Sequence, residues 1–317
     1  MTCNHFGIMN ILVTGASGFV GSAVCSSALD RGISIRASSR VPRSSSPNIQ
    51  YVLTPSGDAC GDWDPILEDI DCILHLSGRA HVMRETHSDP IALFRSINVQ
   101  SSLALAERAC KCGVKRFVYV STVKVNGETT NGKPFRFDDS PQPSDYYSLS
   151  KLEAEAGLLA LGRMTGLEVV IVRPPLVYGP GAKGNLQTLS QCLQKGIPLP
   201  LASASYNRRT LVYIQNLVDL LYLAMSHPAA ANQIFLVGDP SPISTVELFR
   251  LIGISMGCAA KLFHVHPRLF KAGARILKKE SFYERLFCSL ELDTAHATDL
   301  LGWMPKYSSQ EGIALSF

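Results

Sequence analysis

Tyr147-Ser148-Leu149-Ser150-Lys151 sets a phenol and an ammonium four residues apart. On a helix that spacing puts both groups on one face. A neighbouring cation favours the phenolate, which would draw a tyrosine pKa from about 10 toward neutrality. A tyrosine tuned in this way passes a proton to or from an alcohol oxygen while a nicotinamide carries the hydride. The same spacing also arises by chance on many helices, so the pair needs support. Thr122, in Val120-Ser121-Thr122-Val123-Lys124-Val125-Asn126-Gly127, supplies it. It follows an apolar run, 115–121, that reads as a strand. A hydroxyl there points into a cleft at the strand's carboxyl end.

Near the start of the chain stands a candidate diphosphate site. Ile11-Leu12-Val13-Thr14 is rich in β-branched residues and too short for a helix, so it reads as a buried parallel strand. Gly15, Gly18 and Gly21 follow, and 19–29 has helical apolar spacing with Gly32 as its stop. Gly15 allows a tight turn, Gly18 lets backbone N–H groups approach phosphate, and Gly21 lets helix and strand pack closely. The helix N-terminus adds partial positive charge. Ser17, Phe19 and Val20 lie in the same turn and join the glycines as candidate cofactor contacts.

These residues need a scaffold. Further strands are expected at 33–37, 50–53, 71–76, 115–121 and 167–173, with helices at 63–67, 90–112 and 146–165. The alternation predicts an α/β fold, a doubly wound parallel sheet with its ligand at the carboxyl ends of the strands. NAD binders often carry an acid after the second strand, to accept the ribose hydroxyls. Here Ser38-Ser39-Arg40 stands there, with Arg43 following and no carboxylate. Ser39, Arg40 and Arg43 suit a 2′-phosphate, so NADP is expected ahead of NAD. Asn98 sits inside the 90–112 helix, where a polar amide is disfavoured unless it has partners. Beyond 173 the regular alternation stops. The expected division is an extension at 1–8, a dinucleotide-binding domain at 9–175 and a smaller mixed α/β substrate lobe at 176–317. The chain is expected to return to the larger domain around 209–230.

Composition bounds the function. The chain has 317 residues, 46% hydrophobic and 18% charged, enough for a sizeable core. A formal charge of +4 without a lysine-arginine block argues against nucleic acid. Nine scattered cysteines form no paired knuckle, so no metal site is expected, and Cys25, Cys72 and Cys192 read as reduced core thiols of a cytoplasmic protein. No apolar run reaches spanning length, and 1–8 lacks the features of a signal peptide. The basic segment 267–279, with Leu269, Phe270, Ile276 and Leu277, reads as a surface helix packed on the smaller lobe, ahead of a membrane-surface role.

Taken together, the Thr14–Gly21 turn, Thr122, Tyr147-x-x-x-Lys151 and Arg173-Pro174-Pro175-Leu176-Val177-Tyr178-Gly179 resemble the extended short-chain dehydrogenase/reductase family, from about Asn10 to near the C-terminus. The resemblance implies a Rossmann-type sheet. Thr122 would orient the substrate, Tyr147 would be acid/base, and Lys151 would hold the nicotinamide ribose and tune Tyr147. Asn98 and Pro174 would contact the cofactor, Asp58 and Ala59 its adenine, and Leu76, Ser77 and Gly78 its diphosphate–ribose path. The smaller lobe resembles that of sugar-nucleotide enzymes. Asn185, Leu186 and Arg209 would meet the sugar diphosphate, with Arg79, His81 and Val123 nearer the sugar, and Arg285 nearest to a second phosphate-binding arginine. Dehydratases carry an Asp-Glu pair where Val123 and Lys124 stand here, so water elimination is not expected. Asn126 replaces a tyrosine usual in 4-epimerases.

The run 75–83 most resembles the branch that reduces UDP-4-keto-6-deoxy-N-acetylhexosamines, giving UDP-N-acetylquinovosamine or -fucosamine for O-antigen. The expectation is therefore a C4 ketoreductase acting on a UDP-sugar, with a UDP-hexose 4-epimerase as the alternative. A non-catalytic NADP-sensing protein ranks below both, because Thr122, Tyr147 and Lys151 are all present. The resemblance also implies a homodimer formed through 90–112 and 146–165.

Overall fold

A computed structural model of the chain describes residues 9–55, 61–79, 89–182, 185–277 and 279–317. The extension at 1–8 and residues Asp58, Ala59 and His81 lie outside them. The larger part runs β1 (Ile11–Thr14), α1 (Phe19–Arg31), β2 (Ile35–Ser39), β3 (Ile49–Leu53), α2 (Asp64–Leu67), β4 (Cys72–His75), α3 (Pro90–Arg95), α4 (Ser101–Lys111), β5 (Arg116–Val120), α5 (Tyr146–Thr165) and β6 (Glu168–Arg173). The smaller part follows with β7 (Leu176–Tyr178), α6 (Asn185–Gln194), β8 (Leu211–Tyr213), α7 (Ile214–Ser226), β9 (Ile234–Leu236), α8 (Thr245–Ser255), α9 (Pro267–Ile276), α10 (Glu280–Phe287), α11 (Ala295–Leu301) and α12 (Ser309–Ala314).

Seven strands form one parallel sheet in the order β3-β2-β1-β4-β5-β6-β9. The chain reverses direction across the sheet between β1 and β4, and such a switch point is where doubly wound sheets place a ligand crevice, at the carboxyl ends of the strands. The unbroken apolar run of β1 follows from burial on both faces. Ile11 and Val13 join the core beneath α1 and α7, while Leu12 joins the opposite core with Leu105, Phe117, Leu158 and Ile171.

Two expectations need correction. The second strand is Ile35–Ser39, displaced from 33–37, because Ser38 pairs with Thr14 and Ser39 with Leu53. The helix at 90–112 is interrupted: between α3 and α4, Ser96–Gln100 forms one π turn. In the stretch 209–230, α7 packs against α1, β4 and β5 of the larger part, and beyond it β9 pairs with β6. The smaller part also holds a parallel β7–β8 pair, and α12 packs against α8 and β8.

Candidate active site

The turn after β1 has the shape a diphosphate requires. Gly15 has φ +68, and a Cβ there would lie 2.8 Å from the Ser77 nitrogen. A Cβ on Gly21 would lie 2.3 Å from the Gly15 oxygen, so helix and turn meet only because residue 21 is glycine. Gly18 caps α1 in an extended conformation, and no side chain caps the helix. The first-turn N–H groups, at Phe19 and Val20, are thus not taken up by a cap, as anion binding demands. Ser17 is exposed beside them. Ser121 Oγ, beside Thr122, is fully buried with no partner on the chain among the described residues. The glycine cradle and this orphaned hydroxyl fit a dinucleotide.

Across the crevice, α5 carries the Tyr147–Lys151 pair. Its start is fixed by a capping box in which Asp145 accepts from the Ser148 N–H at 2.7 Å and Ser148 Oγ accepts from the Asp145 N–H at 3.2 Å. Its end is fixed by Gly166 in the left-handed conformation. Lys151 is buried, with its amine 4.1 Å from the centre of the Tyr119 ring. The ring of Tyr147 lies 6.3 Å from that of Phe94. Thr122 caps the short turn Val123–Val125, accepting from the Lys124 N–H at 3.3 Å, and this turn packs against α5. Pro174 accepts from the Val123 N–H at 2.9 Å, and the Val123 side chain is buried.

The electrostatics differ from expectation. Burial pushes the Tyr147 phenol up to about 12, with Asp145 adding to the rise, and burial pushes Lys151 down to about 7, opposed by the Glu155 carboxylate. The protein alone therefore does not draw Tyr147 toward neutrality. Desolvation dominates both groups, since burial favours the neutral phenol and disfavours the ammonium.

Asn98 has the partners its position requires. Its Oδ1 accepts from the Arg79 N–H at 2.7 Å, while its Nδ2 donates to the Arg79 carbonyl at 3.1 Å and to Ser150 Oγ at 3.0 Å. One amide thus ties the segment after β4 to α5. A Cβ on Gly78 would lie 3.0 Å from Asn98 Oδ1 and 3.8 Å from Lys151 Nζ, so only glycine leaves that corner open. Leu76 and Ser77 are half-buried along the same segment.

Sequence reasoning missed the framework beneath. Ser102 Oγ donates to the Asn98 carbonyl at 2.8 Å, so it accepts from His75 Nε2 at 3.0 Å. His75 Nδ1 then accepts from Thr14 Oγ1 at 2.8 Å. Burial, reinforced by Lys151, holds His75 down at about 3, so it is neutral and this tautomer is consistent. The chain links β1 to the π turn. A second buried set joins Arg173 to Glu155 at 2.6 Å and to Asn126 Oδ1 at 3.1 Å. Lys124 pairs with Glu128 at 2.7 Å and Asp145 at 2.6 Å. The apolar surroundings of His75 and Arg173 were the one signal: a polar residue ending a buried strand needs a partner.

The other candidates divide. Ser39 is the last residue of β2, buried, with Oγ accepting from the Val41 N–H at 3.3 Å. Arg40 is exposed beyond it, and Arg43 lies 5.8 Å over the Tyr51 ring. In the smaller part, Arg208 is exposed and paired with Glu291 at 2.8 Å. Arg209 is half-buried, its Nη1 donating to the Cys288 carbonyl at 2.9 Å. Burial pushes Arg209 down to about 10, and Arg285 adds to the fall, so two guanidiniums share that region. Leu186, in α6, packs against the core. Asn185 begins that helix.

Known proteins share this architecture. The model of the NAD dependent epimerase/dehydratase family matches residues 11–238. A UDP-glucose 4-epimerase of Vibrio cholerae is 38% identical over 308 residues, 96% of this chain and 93% of that protein. The structure of UDP-glucuronic acid 4-epimerase from Bacillus cereus in complex with NAD superposes with a TM-score of 0.78 at 18% identity, covering 97% of this chain and 95% of that one. UDP-N-acetylglucosamine 4-epimerase from Bacillus cereus gives 0.79 at 19% identity, covering 96% and 97%. The two structures share the fold. The match across the whole large sheet, together with the Vibrio relative, makes this chain a member of the NAD dependent epimerase/dehydratase family.

Proposed function

We propose that this protein interconverts UDP-hexoses at C4 with no net use of reductant, as a UDP-glucose 4-epimerase does. The observation that carries this reading is the 38% identity to the Vibrio enzyme across 96% of the chain. It favours the epimerase over the ketoreductase expected from the 75–83 run, of which 80–83 lie outside the described residues. Val123 and Lys124, the latter bound to two carboxylates, supply no acid for dehydration.

In this mechanism Tyr147 removes the proton of the C4 hydroxyl and later restores it, and Thr122 fixes the C4 oxygen between them. NAD, held by the Gly15–Gly21 turn, would supply the hydride chemistry at C4. Cationic Lys151 favours the phenolate against the burial that holds Tyr147 up, and Glu155 favours that cation. Arg209 and Arg285 offer the sugar diphosphate two guanidiniums.

NAD is the proposed catalytic cofactor. The end of β2 holds no carboxylate and Arg40 is exposed there, so a 2′-phosphate meets no repulsion and NADP is also accepted. Arg40→Asp should raise the preference for NAD over NADP about tenfold, read from the two dissociation constants. An unchanged ratio removes Arg40 from the ribose end. A homodimer through the outer faces of α4 and α5 belongs to the same proposal.

The deciding experiment incubates the protein with UDP-glucose and NAD, and separately with NADPH and a UDP-4-keto-6-deoxy-N-acetylhexosamine. The epimerase reading requires UDP-galactose to appear without net NADH. Inertness toward UDP-glucose, with NADPH consumed in the second reaction, would make the protein a reductase.

A further inference from the structure

Four of the fifteen exposed large apolar side chains among the described residues fall within 263–277. The α9 helix carries three of them or adjoins them. Its inner side is made by Ala274 and by Phe270, whose ring lies 4.7 Å from Phe287 and 6.1 Å from Tyr283 of α10. Leu269 and Ile276, seven residues apart and so on one stripe, are 69% and 82% exposed, and Leu277 beyond the helix is 69% exposed. The helix rests on α10, yet of its large apolar side chains Phe270 alone is half-buried.

Beside the apolar stripe runs a basic one. Arg268, Arg275 and Lys279 are exposed, and residues 267–279 contain five basic side chains and no acid. An apolar stripe bordered by cations on a single helix, whose other side is anchored to α10, is the arrangement that lies in an anionic lipid surface. Its chemistry is complementary to headgroup phosphate on one stripe and to acyl chains on the other. An acidic protein would answer the cations but leaves the two-stripe division unexplained. No helix among the described residues is long and apolar enough to cross a membrane, so the contact is peripheral.

We propose that α9 is a membrane-docking helix that seats the protein on anionic phospholipid. The inference is independent of the catalytic reading, since α9 holds none of the residues placed in the active site.

The test is co-sedimentation of the intact protein with sucrose-loaded vesicles of phosphatidylcholine alone or with about 30% phosphatidylglycerol. The anionic vesicles should bind at least about tenfold more protein, with binding falling steeply on added salt. Leu269→Ser with Ile276→Ser should reduce binding about tenfold, and Arg268→Gln with Arg275→Gln should abolish the preference for anionic lipid. Both variants should keep the wild-type melting temperature and turnover in solution, which shows that they fold. No sedimentation, equal binding to both vesicle types, or binding indifferent to both variants overturns the proposal. So does a change of oligomeric state in the apolar variant, which would assign the stripe to a second copy of the chain.

Discussion

Tyr147 and Lys151 are held by the fold in the forms least suited to proton removal: burial favours the neutral phenol and weakens the ammonium. A phenol that is protonated at rest and becomes a base only beside a cation suits a proton that must leave and return. Tyr147→Phe should lower turnover by about 10²–10⁴-fold while cofactor affinity stays within about twofold, measured by kinetics and by titration of NAD. Near-native turnover would remove Tyr147 from proton transfer. Lys151 also carries a linkage signature. Below about 7 the lysine is charged in folded and unfolded chains alike, and the cost of burying the charge is fully present. Between there and about 10.4 the unfolded chain binds a proton that the folded chain does not, so this contribution to stability rises with pH. Lys151→Met should be more stable than the native protein at pH 7, with the gap closing toward pH 10 in urea titrations. The difference isolates Lys151 from the buried thiols Cys25 and Cys72, which burial pushes up in the folded chain and whose unfolded forms titrate in the same window. The pair itself was legible because its spacing is local. His75 with Thr14, and Arg173 with Glu155, join residues distant in the chain, and no local pattern announces such contacts.

At the scale of elements, α5 was legible as 146–165 because its stop is local, Gly166, which ends the helix in the left-handed conformation. The π turn at Ser96–Gln100 was not, because it obeys tertiary demand. Asn98 must present its amide to both backbone groups of Arg79 and to Ser150 at once, and the wider turn accommodates that. Two ion pairs on α5 give a comparison. Arg173 and Glu155 are 4% and 2% exposed, while Arg95 and Glu153 are 46% and 29% exposed. Removing one partner of the buried pair strands a charge, so Glu155→Ala should cost about 3–5 kcal/mol. Glu153→Ala should cost under about 1 kcal/mol, because solvent screens that pair. Chemical denaturation checks both, and comparable losses would show that the Arg173–Glu155 contact does not hold α5 to β6.

Across the whole molecule, the two-sided burial that makes β1 conspicuous also hides β9. Three residues of apolar strand are too few to separate from a loop by periodicity, yet Phe235 and Leu236 close the sheet beside β6. What fastens the smaller part to this edge is Asp239, which is buried. Its Oδ2 accepts from Tyr178 at 2.6 Å and Ser309 at 3.2 Å, and its Oδ1 accepts from the Tyr213 N–H and Asn216 Nδ2, both at 2.8 Å. Asn216 in turn donates to the Tyr307 carbonyl at 2.8 Å and accepts from its N–H at 3.0 Å. One carboxylate therefore joins β7, β8, α7 and the last helix. Asp239→Ala leaves several buried donors without an acceptor and should cost on the order of 3–5 kcal/mol. Because the knot sits where the tail meets the sheet edge, the loss should be local before it is global. Amide exchange should speed first in 307–317 and in β7–β8, while β1, β4 and β5 keep their protection. Exchange that rises evenly over the chain would mean that Asp239 merely adds to overall stability and is not the clasp between the two parts.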